Sequence, residues 1–349
     1  MLHTPHVFSQ SLFHVLRAWK ALLQDDINDA FQYGAQSLKE AEQLGAVFPI
    51  AVGNYAMVYI HHKLGQEKEV KKHWKAGWQA SERLDSPLLC FMGNTAKAWL
   101  AFEDHDQSKG CQALHKALSL SRMHTIGNSF LWLPQVMSQL CAQALTHGIN
   151  PDWARTLIRQ RNLQPSEVSE HVEEWPWRIK VFTLGQFRVE KDGPKLAKTG
   201  KAPQRPLALL KALIAFGGKD VKEVQLTDAL WPDAEGDAAH KSFSVTLTRL
   251  RTLLGVDGAL ELSGGSLSLN PQLCWVDTWA FERLAKEGVV KITNRHSKKL
   301  TAEANKTLER ALALYQGPFL ENDVNEGWPI PLRERLHDLY VHMKARLDG

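Results

Sequence analysis

The sequence predicts a mainly α chain in three parts. These are a stack of helical hairpins, three short helices closed by a β-hairpin, and a small C-terminal group of helices. Three observations carry this reading. Apolar residues recur at helical spacing from about Leu12 to Leu163, with polar breaks roughly forty residues apart. After a polar, proline-bearing stretch the pattern switches to strand-like alternation. From Pro203 to Leu269, three apolar-faced helical segments precede two alternating strands split by Gly264-Gly265.

The composition narrows the class. A chain of 349 residues can build two or three real cores. With 44% hydrophobic and 23% charged residues it is ordinary globular material, which excludes fibrous and disordered classes. The net charge of +4 is too mild to point to nucleic acid by itself, so the distribution of charge has to decide. Cys90, Cys111, Cys141 and Cys274 show no ligand spacing and read as buried or half-buried thiols in a reducing cytosol. No segment resembles a signal peptide and no apolar run is long enough for a bilayer, so the expectation is a soluble, cytoplasmic protein with no membrane partner. GxSxG, Walker A, HExxH and GxGxxG motifs are absent from any context that would confirm them. The chain is therefore expected not to be an enzyme and to need no cofactor or metal.

The first part, residues 1–163, reads as four helical pairs with breaks at Gln24–Asp26, Gly65–Gln66, Glu103–Asp106 and His147–Asn150. Small residues fall where paired helices must approach closely: Ala30 and Ala35, Gly53 and Ala56, Gly77 and Ala80, Ala113 and Ala117. Trp19, Trp74, Trp78, Trp99, Trp132 and Trp153 sit at helical spacing and read as core rather than as a ligand cage. The His61–His62 pair reads as core too, because the sequence offers no third ligand at a convergent position. By period and small-residue placement the array resembles tetratricopeptide-like (TPR-like) hairpin solenoids of MalT-like bacterial regulators. That resemblance implies a concave face for a protein or small-molecule effector. The chain starts inside its first hairpin with no capping segment, which suggests the C-terminal part of a longer protein.

Residues 164–177 read as a linker, with Pro165 and Pro176 disfavouring helix. RIKVFTLGQFRVEKDG then alternates as strands do, placing Ile179, Val181, Phe187 and Val189 inward, with turns at Leu184-Gly185 and Lys191-Asp192-Gly193. Helix one is expected over Pro206–Phe216, its apolar face made by Leu207, Leu210, Leu213 and Ile214. Helix two spans Lys222–Leu230 and stops at Trp231-Pro232. Helix three runs from Ala238 to Leu254, with Gly255 as a left-handed cap. This order over residues 178–272 is that of a winged helix-turn-helix domain.

The motifs LG-x-F-x-V, R-x-LALL-x-AL, LTDALWPD (Leu226–Asp233), TRLRTLLG (Thr248–Gly255) and LELSGGSLSLN together resemble the OmpR/PhoB-type winged helix of SARP-like bacterial transcriptional regulators. Residues 273–349 extend the likeness. D-x3-F-x2-L, ALALYQGPFL and W-x4-R-x-RL resemble the bacterial transcriptional activator domain that follows the winged helix in that family, here in partial form.

In helix three, Phe243, Leu247, Leu250 and Leu254 make one inward stripe. The other side carries Lys241, Ser244, Val245, Thr248 and Thr252, edged by Arg249 and Arg251. A major-groove helix needs such a face, with cations for phosphates and hydroxyls or short apolar groups for base edges. Lys195, Lys198, Lys201, Arg205 and Lys211 follow one another without an acid from Gly193 to Gly218, a segregation that suits phosphate. The candidate DNA-binding residues are Lys201, Arg205, Lys241, Ser244, Thr248, Arg249 and Arg251, with Ser263, Ser266 and Ser268 of the wing as weaker phosphate contacts. The resemblance further implies that loop 231–239 meets RNA polymerase or a second protomer, the latter making a homodimer. The expected function is a DNA-binding transcriptional regulator, of activating type, that reads promoter DNA through helix 238–254. The alternative is a protein-interaction scaffold whose winged helix has lost DNA binding, suggested by a wing tip without Lys or Arg.

Overall fold

The structure is a computed structural model that describes residues 4–165, 172, 174–193, 204–293 and 298–348. It divides into two compact units, Met1–Trp175 and Pro176–Gly349. The mainly α fold expected from the sequence holds in both.

The first unit contains α1 (Thr4–Leu23), α2 (Ile27–Leu44), α3 (Val47–Lys63), α4 (Glu67–Leu84), α5 (Pro87–Glu103), α6 (Gln107–Met123), α7 (Pro134–Thr146) and α8 (Pro151–Gln160). Consecutive helices pair as hairpins: α1 with α2, α3 with α4, α5 with α6 and α7 with α8. The repeat is written in backbone geometry. Asp25, Gly65 and His105, each forty residues after the last, take left-handed φ values of 59°, 70° and 58°. In each case the next N–H bonds a carbonyl five residues back: Asp26 to Ala21, Gln66 to His61, and Asp106 to Ala101, at 2.8–2.9 Å. That is the six-to-one bond by which a helix closes its last turn. Between successive hairpins Gly45, Asp85 and Thr125 repeat the left-handed conformation at the same period. Asp26 and Asp106 also accept from the N–H groups of Asp29 and Lys109 (3.0 Å each), capping α2 and α6.

Packing follows from small residues facing large ones. α3 is buried nearly all round, as expected of a helix lying between two others with little polar surface. Gly53, Ala56, Gly77, Ala80, Ala113 and Ala117 are all buried where the sequence places them. Ala35, however, is only half-buried. The close approach there is made by Gly34, where a Cβ would lie 2.9 Å from Ile60 Cδ1. At the centre, Tyr55 is buried and its Oη lies 2.8 Å from Ser81 Oγ. A Cβ added at Gly93 would sit 2.3 Å from that Oη and 3.0 Å from the Trp78 ring. Gly93→Ala is therefore expected to cost about 1–3 kcal/mol by overpacking. A urea titration of the full chain checks this, and an unchanged midpoint for the first transition would contradict it.

Trp99 and Trp132 are core, as expected. Trp74 and Trp78 are only half-buried. Their rings stack at 5.5 Å, and Trp74 rims a cleft of about 570 Å³ lined also by Lys71, Lys97 and Lys109. The cysteines are free thiols. Burial pushes Cys141 up to about 12, so it is inert at neutral pH. Among the described residues no helix is long and apolar enough to cross a membrane.

The second unit runs β1 (Ile179–Phe182), β2 (Arg188–Lys191), α9 (Gln204–Ala215), β3 (Val221–Lys222), α10 (Glu223–Leu230), α11 (Gly236–Leu254), β4 (Leu260–Ser263), β5 (Ser266–Leu269), β6 (Cys274–Val276), α12 (Asp277–Thr293), α13 (Lys298–Leu314) and α14 (Ile330–Asp348). Among the described residues two three-stranded sheets form, ordered β2-β1-β6 and β3-β5-β4. The first keeps Ile179, Val181 and Val189 buried, as their alternation requires, whereas Phe187 is half-buried. Its third strand, β6, pairs in parallel with β1 (Ile179↔Cys274), a partnership that local pattern does not announce. Lys222, expected to open helix two, belongs instead to β3, because Val221 and Lys222 pair with Leu267 and Ser266 of β5. On α9, Leu209 is fully buried while Leu207, expected on the inner face, is half-buried.

One hydrophobic cluster runs through this whole unit. It joins Leu210, Leu213, Phe243, Leu247, Leu250 and Leu254 to Phe281, Leu308, Phe319 and Leu336 of the C-terminal segment. Polar contacts bolt the same seam. Asp277, the first residue of α12, accepts from the Thr183 N–H (2.6 Å), the Leu184 N–H (2.8 Å), the Thr278 N–H (2.8 Å) and the Thr183 hydroxyl (2.6 Å). The Gly185 N–H donates to the Pro318 carbonyl at 3.1 Å. With φ 89°, Gly185 faces the Gln316–Gly317 backbone at 3.3 Å, a space that only a glycine fits. Arg333 donates to the carbonyls of Phe319, Leu320 and Asp323 (2.7, 2.8 and 3.2 Å), holding the loop before α14.

Candidate nucleic-acid interface

α11 is the element on which a site can be built. Phe243, Leu247, Leu250 and Leu254 are buried as the apolar stripe demands, and Ala239 and Thr246 join them. Helical geometry then forces Lys241, Ser244, Val245, Thr248, Arg249 and Thr252 outward, and all six are exposed. Lys241 and Arg249 have no side-chain partner among the described residues. Their charge is uncommitted and open to an external anion. Thr248 and Thr252 donate their hydroxyls back to the Ser244 and Thr248 carbonyls (2.9 and 3.0 Å), leaving oxygen lone pairs and methyl groups outward. Val245, 44% exposed, is an apolar group on a polar face, the kind of contact a thymine methyl accepts.

The other nominated residues separate from this face. Arg205 is exposed, but its Nη1 donates to the Leu230 carbonyl at 2.9 Å, which caps the end of α10. Arg251 donates to the Leu260 carbonyl at 3.2 Å and so holds the first strand of the wing to α11. Lys211 does not join a basic patch. Its Nζ lies 2.7–2.9 Å from the Asp323 carboxylate and 4.7 Å from the Phe187 ring centre, so its charge is spent tying α9 to the C-terminal segment. Lys195, Lys198 and Lys201 lie outside the described residues.

β4 and β5 form a tight hairpin. Leu262 pairs with Leu267 and Ser263 with Ser266, across a Gly264-Gly265 turn with φ values of 56° and 74°. Its tip is docked, since the Gly265 carbonyl accepts from the Glu223 N–H at the start of α10 (2.9 Å). Ser268, nominated for phosphate, instead accepts from the Asp220 N–H at 2.8 Å. Ser263 and Ser266 pair beside the turn.

His240 is a residue the sequence reading passed over. It is exposed one turn before Ser244, and its Nδ1 lies 2.5 Å from Glu223 Oε1, linking α10 to the outward face of α11. Its helical register with Ser244 and Thr248 was the available signal.

Residues 276–347 match the family described as the bacterial transcriptional activator domain. The chain is also similar to the regulatory protein AfsR of Streptomyces griseus, with 27% identity over 177 residues. That match covers 49% of this chain and 18% of AfsR, so the chain spans a small fraction of the relative's length. The resemblance to SARP-like regulators read from the sequence is borne out by these two likenesses.

Proposed function

We propose that this chain is a DNA-binding transcriptional regulator of activating type, reading duplex DNA through α11. The observation that carries the reading is the outward face of that helix. Two uncommitted cations, three hydroxyl residues and one exposed valine are aligned there on a helix whose other side is fully buried. Three helices followed by a docked glycine hairpin supply the frame that a winged helix uses to present such a face. Loop 231–239, with Asp233, Glu235 and Asp237 exposed, is assigned to contact RNA polymerase, and the cleft beside Trp74 to an effector.

A selection from random-sequence duplexes at two salt concentrations tests the proposal. Recovery of a sequence motif is expected, with affinity falling by roughly 100-fold between 50 and 200 mM salt if about four phosphates are neutralised. Absence of salt-sensitive binding would reject it in favour of a scaffold. The scaffold reading draws on one observation: no Lys or Arg lies between Leu260 and Leu269, where a wing would enter a minor groove.

A further inference from the structure

The α3–α4 hairpin brings together two histidines and a carboxylate that the sequence does not group. His61 lies near the end of α3, while Glu69 and His73 stand one helical turn apart on α4, so all three share one seam. Their ligand atoms lie within 4.8 Å of one another. The imidazole rings of His61 and His73 stack at 5.0 Å and 11°. His62, its neighbour in sequence, turns away and packs against Trp99.

The hydrogen bonds decide which nitrogens face the cluster. Asn54 donates its amide to the Ile50 carbonyl (2.8 Å), which leaves its Oδ1 to accept from His73 Nδ1 at 2.9 Å. The proton on His73 is therefore on Nδ1, and Nε2 carries a lone pair 3.8 Å from Glu69 Oε2. His61 makes the same arrangement, with Nδ1 2.6 Å from Gln66 Oε1. Neither Nε2 has a hydrogen-bond partner among the described residues. His61 is buried and His73 half-buried within this seam. The Lys72 ammonium donates to the Glu69 carboxylate at 2.9 Å.

The repeat provides an independent comparison. Forty residues to either side, the positions of His61 are Ala21 and Ala101, those of Glu69 are Asp29 and Lys109, and those of His73 are Tyr33 and Ala113. Ala21 and Ala101 fill the His61 position compactly, so the fold does not need an imidazole there. Only this hairpin of the three places two imidazole lone pairs beside a carboxylate.

We propose that His61, Glu69 and His73 bind a divalent first-row transition-metal ion of the zinc class. Two imidazoles and one carboxylate, each histidine held at Nδ1 by an outer amide oxygen, match the donor set and second shell such an ion takes, with a fourth position left for water. The assignment stands whether or not the C-terminal unit binds DNA.

Titration of the untagged full chain with Co²⁺, followed by its visible absorption and competed with Zn²⁺, tests the site. One ion per chain is expected, together with a rise of about 5–10 °C in the first thermal transition at a Zn²⁺ excess near 100 Kd. His61→Ala, which installs the residue of the flanking repeats, and His73→Ala are each expected to abolish the spectrum and the thermal shift while leaving the far-ultraviolet circular dichroism unchanged. Wild-type protein that binds no ion, or either variant binding as well as wild type, overturns the proposal. Should His73→Ala misfold, His61→Ala decides alone.

Discussion

Asp277→Ala is expected to destabilise the C-terminal unit by roughly 3–5 kcal/mol, because several buried donors lose their acceptor at once. The carboxylate is nearly inaccessible and receives three backbone N–H groups and one hydroxyl. Thr183 and Leu184 are buried and sit just past the end of β1, so water cannot replace the lost acceptor. Each orphaned buried N–H costs on the order of 1–3 kcal/mol. Asp277→Asn retains one oxygen of the pair and is expected to lose about half as much. Urea titrations of the three full-length chains measure the effect on the second transition. Equal midpoints for wild type and Asp277→Ala would show that the network contributes nothing to the fold.

Lys241→Ala combined with Arg249→Ala is expected to weaken duplex binding by about 100-fold, roughly 2.8 kcal/mol, with no change in thermal stability. Both side chains are exposed and uncommitted, so their loss leaves no buried group unpaired. The two changes should also differ in kind. Lys241→Ala alone is expected to reduce affinity evenly across sequences and to lower the salt slope by about one unit, as loss of a phosphate contact does. Arg249→Ala is expected to relax discrimination at one base position, as loss of a guanine contact does. Fluorescence anisotropy against the selected motif and a single-base series separates these outcomes. Undiminished binding by the double variant would remove α11 from the interface.

What could be read from the sequence was local. The forty-residue period, the inward stripe of α11 and the glycines of the wing declare themselves because each is a pattern within one element or turn. The motif D-x3-F-x2-L was visible as a string, and the structure supplies its physics: Asp277 collects the donors while Phe281 and Leu284 face the core. What escaped was pairing between distant segments. A strand's alternation shows which face is buried but not that β6 will lie parallel to β1. Lys211 looked like one more cation in a basic run because its partner, Asp323, stands 112 residues away. The same blindness hid the metal-ligand cluster. His61 and His73 become neighbours only once α3 and α4 fold back on each other, and the adjacent pair His61–His62 drew the eye to the wrong partner.

Val276 ends β6 and Asp277 begins α12 with no residue between them. A multidomain regulator commonly moves its parts about a few slack residues, but this junction has none, and its two sides are clamped by the Asp277 network. Mechanically it is a weld. A load applied to α14 through Leu336, Phe319 and the shared core would reach α11 as displacement of a solid block, without being absorbed as torsion along the way.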